Sequence, residues 1–345
     1  MQSIELYSSY SMYVPEGRAL IYKSSKGENY SWSTSYRIKQ SIGHNEVLIK
    51  TISGALNPLD YKIPVIYPFW LVFKGKPVGQ DVCGKVLAVG SSVTAFKEGD
   101  IVFGHGPCCC EFSVAAAAEL AIVPLTVRDP SVFGGLCAAG VTALQMLRKG
   151  GCFEGNSPKT IMIIGPSGGV GSCAVQIANS LCPIGTRIIG VCSARSAEYV
   201  KSIGVDTVVD YSVENFQFHA CVPEKCLDAI IDCVSSPDDY NYVPEGMKLI
   251  RENTGRYIAS NTVNALEWAR CMLGTFSGFR LFRGQYELIM VQPNTKDLDQ
   301  VASMVQEGKL ALNVDATLPF TSEAIKEGLS RLSERHVRGK LIISM

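Results

Sequence analysis

The sequence predicts an α/β protein in which a β-rich unit is joined to a doubly wound parallel sheet. Residues 15–140 hold short β-like runs separated by glycines, such as 46–56, 82–93 and 101–105, and this texture is typical of an irregular barrel. Residues 158–292 instead alternate apolar runs with helical patterns. Uninterrupted apolar runs are typical of parallel strands that helices cover on both faces.

The strands of the second unit follow from these continuous apolar runs. We expect them at 160–165, 187–193, 207–211, 228–234, 256–260 and 286–291. A helix is predicted after the first strand because Val170, Ala174 and Ile177 recur at helical spacing, and another follows the second strand and ends before Gly204. Short strands resume near the carboxyl terminus, and we expect the last one, 341–345, to return to the first unit.

Composition excludes several classes of protein. Of 345 residues, 32 are Lys or Arg and 32 are Asp or Glu, and this zero net charge argues against a dedicated nucleic-acid binder. No apolar stretch approaches ~18 residues, and no basic segment precedes an apolar run, so we expect no membrane span, no secretory signal and a cytoplasmic location. The thirteen cysteines contain no Cys-x-x-Cys pair, which predicts free thiols.

A strand, a glycine-rich turn and a helix follow one another in residues 159–178. Glycine lets a diphosphate approach the backbone, and the helix N-terminus offers N–H groups and a partial positive charge. The spacing departs from Gly-x-Gly-x-x-Gly, because the first glycine would fall on Pro166, and a tight turn without a ligand is the alternative. The context favours a dinucleotide site. The candidate binding residues of this turn are Gly165, Ser167, Gly168, Gly169, Val170 and Gly171.

The end of the second strand indicates which dinucleotide binds. NAD sites usually place an acid there for the ribose hydroxyls, but here the first acid is Glu198. Ser193, Arg195 and Ser196 would instead attract a 2′-phosphate, which predicts NADPH as the cofactor. The alternative is that Arg195 is an ordinary solvated arginine at a helix start.

Several segments in collinear order resemble the medium-chain dehydrogenase/reductase superfamily, and within it the zinc-free quinone oxidoreductase branch that includes zeta-crystallin. They are 57–62, 77–104, 137–147, the glycine turn, 205–212, 254–260 and 338–345. The resemblance implies a GroES-like catalytic domain (1–144 and 308–345), a central Rossmann domain (145–307) and a cleft between them. It also implies NADPH-dependent reduction of a quinone or α,β-unsaturated carbonyl, and a homodimer whose sheet is extended through 286–291.

The same resemblance bears on metal binding and catalysis. Zinc-dependent relatives use Cys, a His in Gly-His-Glu, and a second Cys, whereas this chain has Asn57, Gln80 and, one place off, Cys137. One thiolate cannot hold Zn²⁺, which takes three protein ligands, so we expect no metal. A conjugated carbonyl needs only modest hydrogen-bond donors as hydride arrives. The catalytic candidates are Asn57, Asp60 and Thr142.

Further cofactor candidates rest on the resemblance and on strand position. Tyr211 would lie near the adenosine ribose, although a structural tyrosine at a strand end is the alternative. Cys233 and Val234 end the next strand and would pass beneath the cofactor. The aromatic segments 61–78 and 276–284 would line a substrate pocket or serve ordinary packing.

Two other functions stay open from the sequence. One is a weakly catalytic, NADPH-binding structural or RNA-binding protein like some zeta-crystallin relatives. Its only support is the basic run Arg331, Arg335, Arg338 and Lys340, which a solvated helix face also explains. The other is a zinc alcohol dehydrogenase, which metal analysis would reveal.

Overall fold

The computed structural model describes residues 13–25, 28–64, 72–213, 218, 222–235, 240–261, 285–335 and 337–345. Within these residues, a seven-stranded sheet, a six-stranded parallel sheet and a separate two-stranded hairpin are present. The predicted combination of a β-rich unit and a doubly wound parallel sheet is therefore confirmed.

In the described residues, the first unit contains seven strands, two α-helices and three short helical turns before the second unit begins. The strands are β1 Gly17–Ser25, β2 Glu28–Tyr36, β3 Glu46–Leu56, β4 Asp81–Val89, β5 Ile101–His105, β6 Phe112–Ala116 and β7 Leu120–Ile122. The helical segments are α1 Pro58–Lys62, the 3-10 turns Ala117–Glu119 and Pro130–Gly135, the π-helical turn Cys137–Val141 and α2 Thr142–Lys149.

The second unit alternates strands and helices, as predicted. Its elements are β8 Thr160–Ile164, α3 Gly169–Leu181, β9 Arg187–Cys192, the 3-10 turn Ala194–Ser196, α4 Ala197–Ser202, β10 Thr207–Asp210, β11 Ala229–Asp232, α5 Val243–Leu249, β12 Arg256–Ala259, β13 Tyr286–Leu288 and α6 Thr295–Gln306. The strands lie in the order β10-β9-β8-β11-β12-β13. All neighbours in this sheet are parallel.

The final strand was predicted over 286–291, but β13 ends at Leu288. β13 is the last strand of this sheet in the described part of the chain, so it is hydrogen-bonded on one side. The Ile289 N–H still donates to Ala259 O (2.9 Å), and the backbone then leaves the ladder. The prediction was therefore three residues too long, because apolar character alone does not mark where pairing stops.

The carboxyl-terminal segment returns to the first unit through β14 Val314–Pro319, α7 Ser322–Ser333 and β15 Lys340–Ser344. β15 pairs antiparallel with β3, placing Ile343 opposite Gly54, and β14 runs parallel beside β15. The seven-stranded sheet therefore contains strands from both halves of the chain, in the order β14-β15-β3-β4-β5-β7 with β6 beside β3.

One apolar core continues from the first unit into the second. Phe103 of β5 and Phe133 meet edge to face at 4.8 Å between ring centroids, and both belong to the cluster that holds Ile161 of β8 and Val175 of α3. The two units are thus packed together on the side of α2, which fixes the strand ends of the second unit relative to the first.

The described helices include none that is both long and apolar enough to cross a bilayer. The eleven described cysteines are all free thiols.

Candidate active site

The glycine-rich turn after β8 is built by two glycines that leave no room for a side chain. Gly165 has φ +79°, in the left-handed region, and its N–H donates to Val191 O (3.0 Å). A Cβ added at Gly171 would lie 2.0 Å from the carbonyl oxygen of Gly165, so the turn packs directly against the start of α3. These two positions therefore need glycine for the fold itself.

Gly168 differs because its surroundings are open. A Cβ there would meet only the Gly165 oxygen, at an ordinary 3.6 Å. Gly168 is also the N-cap of the 13-residue helix α3 and makes no side-chain cap. The first N–H groups of the helix consequently lack side-chain acceptors, and Ser167, Gly169 and Val170 lie beside them, half-buried. A bare backbone and an uncapped helix start fit a diphosphate.

The ends of β9 and β10 bring together the residues predicted for the 2′-phosphate and the ribose. Ser193 is half-buried, and Arg195 is exposed and makes no ion pair with any described residue. Tyr211 is 45% exposed, and its N–H donates to Cys192 O (3.3 Å). Ser196 is only 2% exposed, so its hydroxyl is much less accessible to a ligand than the other three side chains.

Cys233 and Val234 follow β11 and lie next to the glycine turn. A Cβ added at Gly165 would be 2.4 Å from Val234 Cγ2 and 4.0 Å from Cys233 Cβ. The Val234 N–H donates to the buried Asp232 (2.9 Å), which also accepts from Tyr257 Oη (2.6 Å). Asp232 thus fixes the loop beneath the candidate site. The sequence analysis missed this role, although an acid ending a buried apolar strand indicated it.

A second cluster lies at the ends of β3, β4 and β15. Asn57 is the N-cap residue of α1, and its backbone N–H donates to Asp60 Oδ2 (2.7 Å), while the Asp60 N–H donates to the Asn57 backbone carbonyl (2.9 Å). The Asn57 Nδ2 group donates to Asp81 Oδ2 (3.0 Å). The side-chain amide predicted as a substrate donor is therefore held by the protein.

Lys340 completes this cluster from the last strand of the chain. Its ammonium donates to Asn57 Oδ1 (2.6 Å), Asp81 Oδ2 (3.1 Å) and Leu56 O (3.3 Å). Lys340 is 4% exposed and Asp81 is fully buried. The expectation that Lys340 belongs to a basic surface run is therefore wrong, because the residue is an internal ion-pair partner. Sequence reasoning missed this role because its partners lie 259 and 283 positions away.

The two clusters meet at the start of α3. A Cβ added at Gly169 would lie 2.8 Å from Lys340 Cδ, so the lysine stem crosses the first turn of the helix. On the other side, Asp81 Oδ1 accepts from the backbone N–H of Ala138 (2.7 Å) in the π-helical turn. That turn leads directly into Thr142, which is buried at the first position of α2. Asn57, Asp60 and Thr142 are thus joined to the glycine turn through Asp81 and Lys340.

The carboxyl of Asp60 is fully buried, and its pKa is raised. Tyr22 Oη donates to its Oδ1 (3.2 Å), and Tyr30 Oη donates to its backbone carbonyl (3.1 Å). Burial raises the pKa of Asp60 to about 7 and the nearby Asp81 adds to the rise, while the Asn57 N–H and the Lys340 ammonium oppose it. Asp60 therefore exchanges a proton near neutral pH.

Burial keeps the nearby thiols protonated. Burial is the largest reason why the pKa of Cys137 lies well above its usual range, and burial also raises that of Cys173 to about 12. In the described ranges, no group of three or more His, Cys, Asp or Glu side chains is arranged to hold a metal ion. Residues 65–71 of the first aromatic segment and the whole of the second segment, 276–284, lie outside the described residues.

Two family models match the chain. The alcohol dehydrogenase GroES-like domain matches residues 43–147, and the zinc-binding dehydrogenase model matches residues 203–343. Together they cover parts of both structural units, and the second match ends inside β15, at residue 343.

Similar proteins include named reductases. The chain is 30% identical over 317 residues to the chloroplast envelope quinone oxidoreductase homolog of Arabidopsis thaliana, covering 87% of this chain and 89% of the relative. It is 28% identical over 341 residues to the chloroplastic NADPH-dependent alkenal/one oxidoreductase of the same plant, covering 95% and 79%. The solved quinone oxidoreductase from Coxiella burnetii superposes with a TM-score of 0.78 at 23% identity over 96% of this chain and 99% of that one, which establishes the shared fold.

Proposed function

Because the chain belongs to the medium-chain dehydrogenase/reductase superfamily, in its quinone oxidoreductase-like branch, we propose that it is a zinc-independent reductase that uses NADPH to reduce a quinone or an α,β-unsaturated carbonyl. Both named relatives are oxidoreductases by name, and the name of the alkenal/one oxidoreductase specifies NADPH.

The observation that carries the proposal is the composition of the site at the junction of the two clusters. The open Gly168 and the uncapped start of α3 would hold the diphosphate of the cofactor. Ser193, Arg195 and Tyr211 would hold the adenosine end, since the exposed guanidinium of Arg195 suits a 2′-phosphate. Cys233 and Val234 would pass beneath it. The bound nicotinamide supplies the hydride.

Zinc independence is supported by the donor set. Asn57 and Gln80 occupy the positions of two zinc ligands in zinc-dependent relatives, and neither side chain ionises. The Lys340 ammonium lies 2.6 Å from Asn57 Oδ1, so a divalent cation at this place would meet a positive charge. Without a Lewis acid, a conjugated carbonyl is the favoured substrate because its developing negative charge is delocalised.

The RNA-binding alternative loses its support. Lys340 is buried, and Arg331 is engaged with Asp315 at 2.5 Å, so the basic run does not form one free surface. We retain as proposals the catalytic domain 1–144 and 308–345, the Rossmann domain 145–307, and a homodimer joined along β13. Cytoplasmic location stays a prediction.

A side-by-side turnover assay tests the proposal. Purified protein is offered NADPH or NADH with a panel of quinones, enones and simple ketones, and NADP+ or NAD+ with simple secondary alcohols. Cofactor oxidation or reduction is followed at equal concentrations. We expect turnover of a conjugated substrate, higher kcat/KM with NADPH, and none with the simple alcohols. Turnover confined to alcohols and ketones, or a preference for NADH, would contradict it.

A further inference from the structure

A line of buried contacts joins the Asp60 carboxyl to the start of α3. Asp60 Oδ2 accepts from the Asn57 N–H (2.7 Å), and Asn57 Oδ1 accepts from the Lys340 ammonium (2.6 Å). The stem of Lys340 then lies across the helix start, where a Cβ at Gly169 would be 2.8 Å from its Cδ. Asp60 is therefore three contacts away from the place where an anion would bind.

The charges around Asp60 are unbalanced. The titratable groups that face it come from five elements: Tyr22 of β1, Tyr30 of β2, Asp81 of β4, Cys109 of the loop before β6, and Lys340 of β15. Two carboxyls thus depend on one ammonium in a region closed to water. When both are ionised, one buried negative charge has no cation of its own among the described residues, which is costly.

We propose that binding of an anionic cofactor at the start of α3 makes Asp60 take up a proton, with Lys340 coupling the two sites. The inference rests on the proposed function, because the anion is the diphosphate of the nicotinamide cofactor. An anion beside α3 attracts the Lys340 ammonium and opposes its stabilisation of the ionised Asp60 carboxyl. The 3.3 Å hydrogen bond from the ammonium to Leu56 O is the longest of its three and the easiest to break. The protonated form of Asp60 is then favoured.

The protein can accommodate this proton without rearrangement. The Asn57 N–H still has Asp60 Oδ2 as an acceptor, and Tyr22 Oη, 3.2 Å from Oδ1, can reverse its role and accept. By reciprocity, a proton on Asp60 strengthens cofactor binding as much as the cofactor strengthens proton binding. Cofactor affinity should therefore fall as pH rises through neutrality.

Titration calorimetry in two buffers measures the proton directly. NADPH is titrated into the full-length protein near pH 7 in Tris and in PIPES, whose ionisation enthalpies differ. We expect the wild type to take up on the order of half a proton per NADPH more than Asp60→Asn, a difference in which the titration of the cofactor's own 2′-phosphate cancels. Asp299→Asn, which removes another aspartate whose pKa burial raises, should behave as wild type.

The outcomes separate this inference from the proposed function. Tight NADPH binding with equal proton uptake in wild type and Asp60→Asn overturns the inference and leaves the proposed function standing, whereas no NADPH binding to the wild type overturns both. Tyr22→Phe serves if Asp60→Asn does not fold. Because Tyr22 stabilises the ionised carboxyl, its loss should move the pH of maximal uptake upward, and an unchanged pH would contradict the coupling.

Discussion

At the residue scale, Lys340 is the side chain on which most of the site depends. It contacts β3 through Leu56, the N-cap of α1 through Asn57, β4 through Asp81, and α3 through Gly169. Its ammonium has an acceptor for each of three N–H groups, so the buried charge is fully solvated by protein. Such a pair need not stabilise the fold more than apolar residues would, but it cannot lose one member cheaply.

We expect Lys340→Met to destabilise the protein by about 3–5 kcal/mol, because Asp81 would remain as a buried charge without its cation. Urea unfolding monitored by circular dichroism measures the change. The matched control is Lys309→Met, which breaks an exposed pair with Glu307 (2.6 Å) and should cost about 0–1 kcal/mol. Equal losses of unfolding free energy in the two variants would show that the buried Lys340 contacts stabilise the protein no more than an exposed ion pair does.

Asp60 should make the stability of the protein depend on pH. Its pKa is raised to about 7 in the folded state, against about 4 in an unfolded chain. Between these values the folded protein holds a proton that the unfolded chain has lost, so this contribution to stability is present at low pH and is lost as pH rises through about 7.

The test compares wild type with Asp60→Asn in urea unfolding between about pH 5 and pH 8. The free energy of unfolding of the wild type, taken relative to the variant, should fall across this range by a few kcal/mol and level off above about pH 7. A constant difference, or one that grows with pH, would mean that Asp60 is ionised in the folded protein throughout.

Arg195 should decide between the two nicotinamide cofactors. Its guanidinium is exposed beside Ser193 and Tyr211, where a 2′-phosphate would accept charge-assisted hydrogen bonds. We expect Arg195→Ala to weaken the binding of NADPH roughly 10- to 100-fold and the binding of NADH by much less. Fluorescence titration measures both Kd values. Arg187→Ala, at the start of β9 and so at the opposite end of the strand that leads to Arg195, is the control. If Arg195→Ala weakens the binding of both cofactors equally, Arg195 does not contact the 2′-phosphate.

At the element scale, the turn from β8 into α3 separates two kinds of glycine. Gly171 is required by packing, since its Cβ would overlap the Gly165 oxygen at 2.0 Å, while Gly168 faces open space. The sequence located this turn and its flanking elements correctly, because a buried apolar strand, clustered glycines and a helical repeat are all local features. It did not distinguish the two glycines, because that depends on which backbone lies opposite each one.

We therefore expect Gly168→Val and Gly171→Ala to fail differently. Gly168→Val should keep the melting temperature of the free protein but abolish NADPH binding, because the side chain fills the approach to the helix start. Gly171→Ala should destabilise the free protein by about 1–3 kcal/mol. Thermal unfolding and NADPH titration measure both effects. If Gly168→Val binds NADPH with normal affinity, the diphosphate does not bind at this turn.

The strand lengths show the same division between local and distant causes. Four strands inside the parallel sheet, β8, β9, β11 and β12, were predicted to within two residues at each end, because both of their faces are buried and their apolar runs are continuous. β13, at the edge, was overestimated, since the point at which it leaves the sheet is set by its pairing with β12 and not by its own residues.

At the scale of the whole molecule, the site is made by the return of the chain to its first unit. β15 completes the sheet beside β3 and delivers Lys340 to residues near positions 57 and 81. The sequence indicated a terminal strand and the catalytic candidates Asn57 and Asp60, but no local pattern predicted which residues contact them. The hairpin of β1 and β2 likewise contributes Tyr22 and Tyr30 to Asp60 without a local pattern that predicts it.

The measurement that tests the central claim most directly is turnover by protein freed of metal. The protein is dialysed against a chelator until elemental analysis finds no zinc, and NADPH oxidation is then followed with a conjugated substrate before and after zinc is added back. We expect full activity without metal and no gain on adding zinc. Activity that disappears with the metal and returns with stoichiometric zinc would contradict the account.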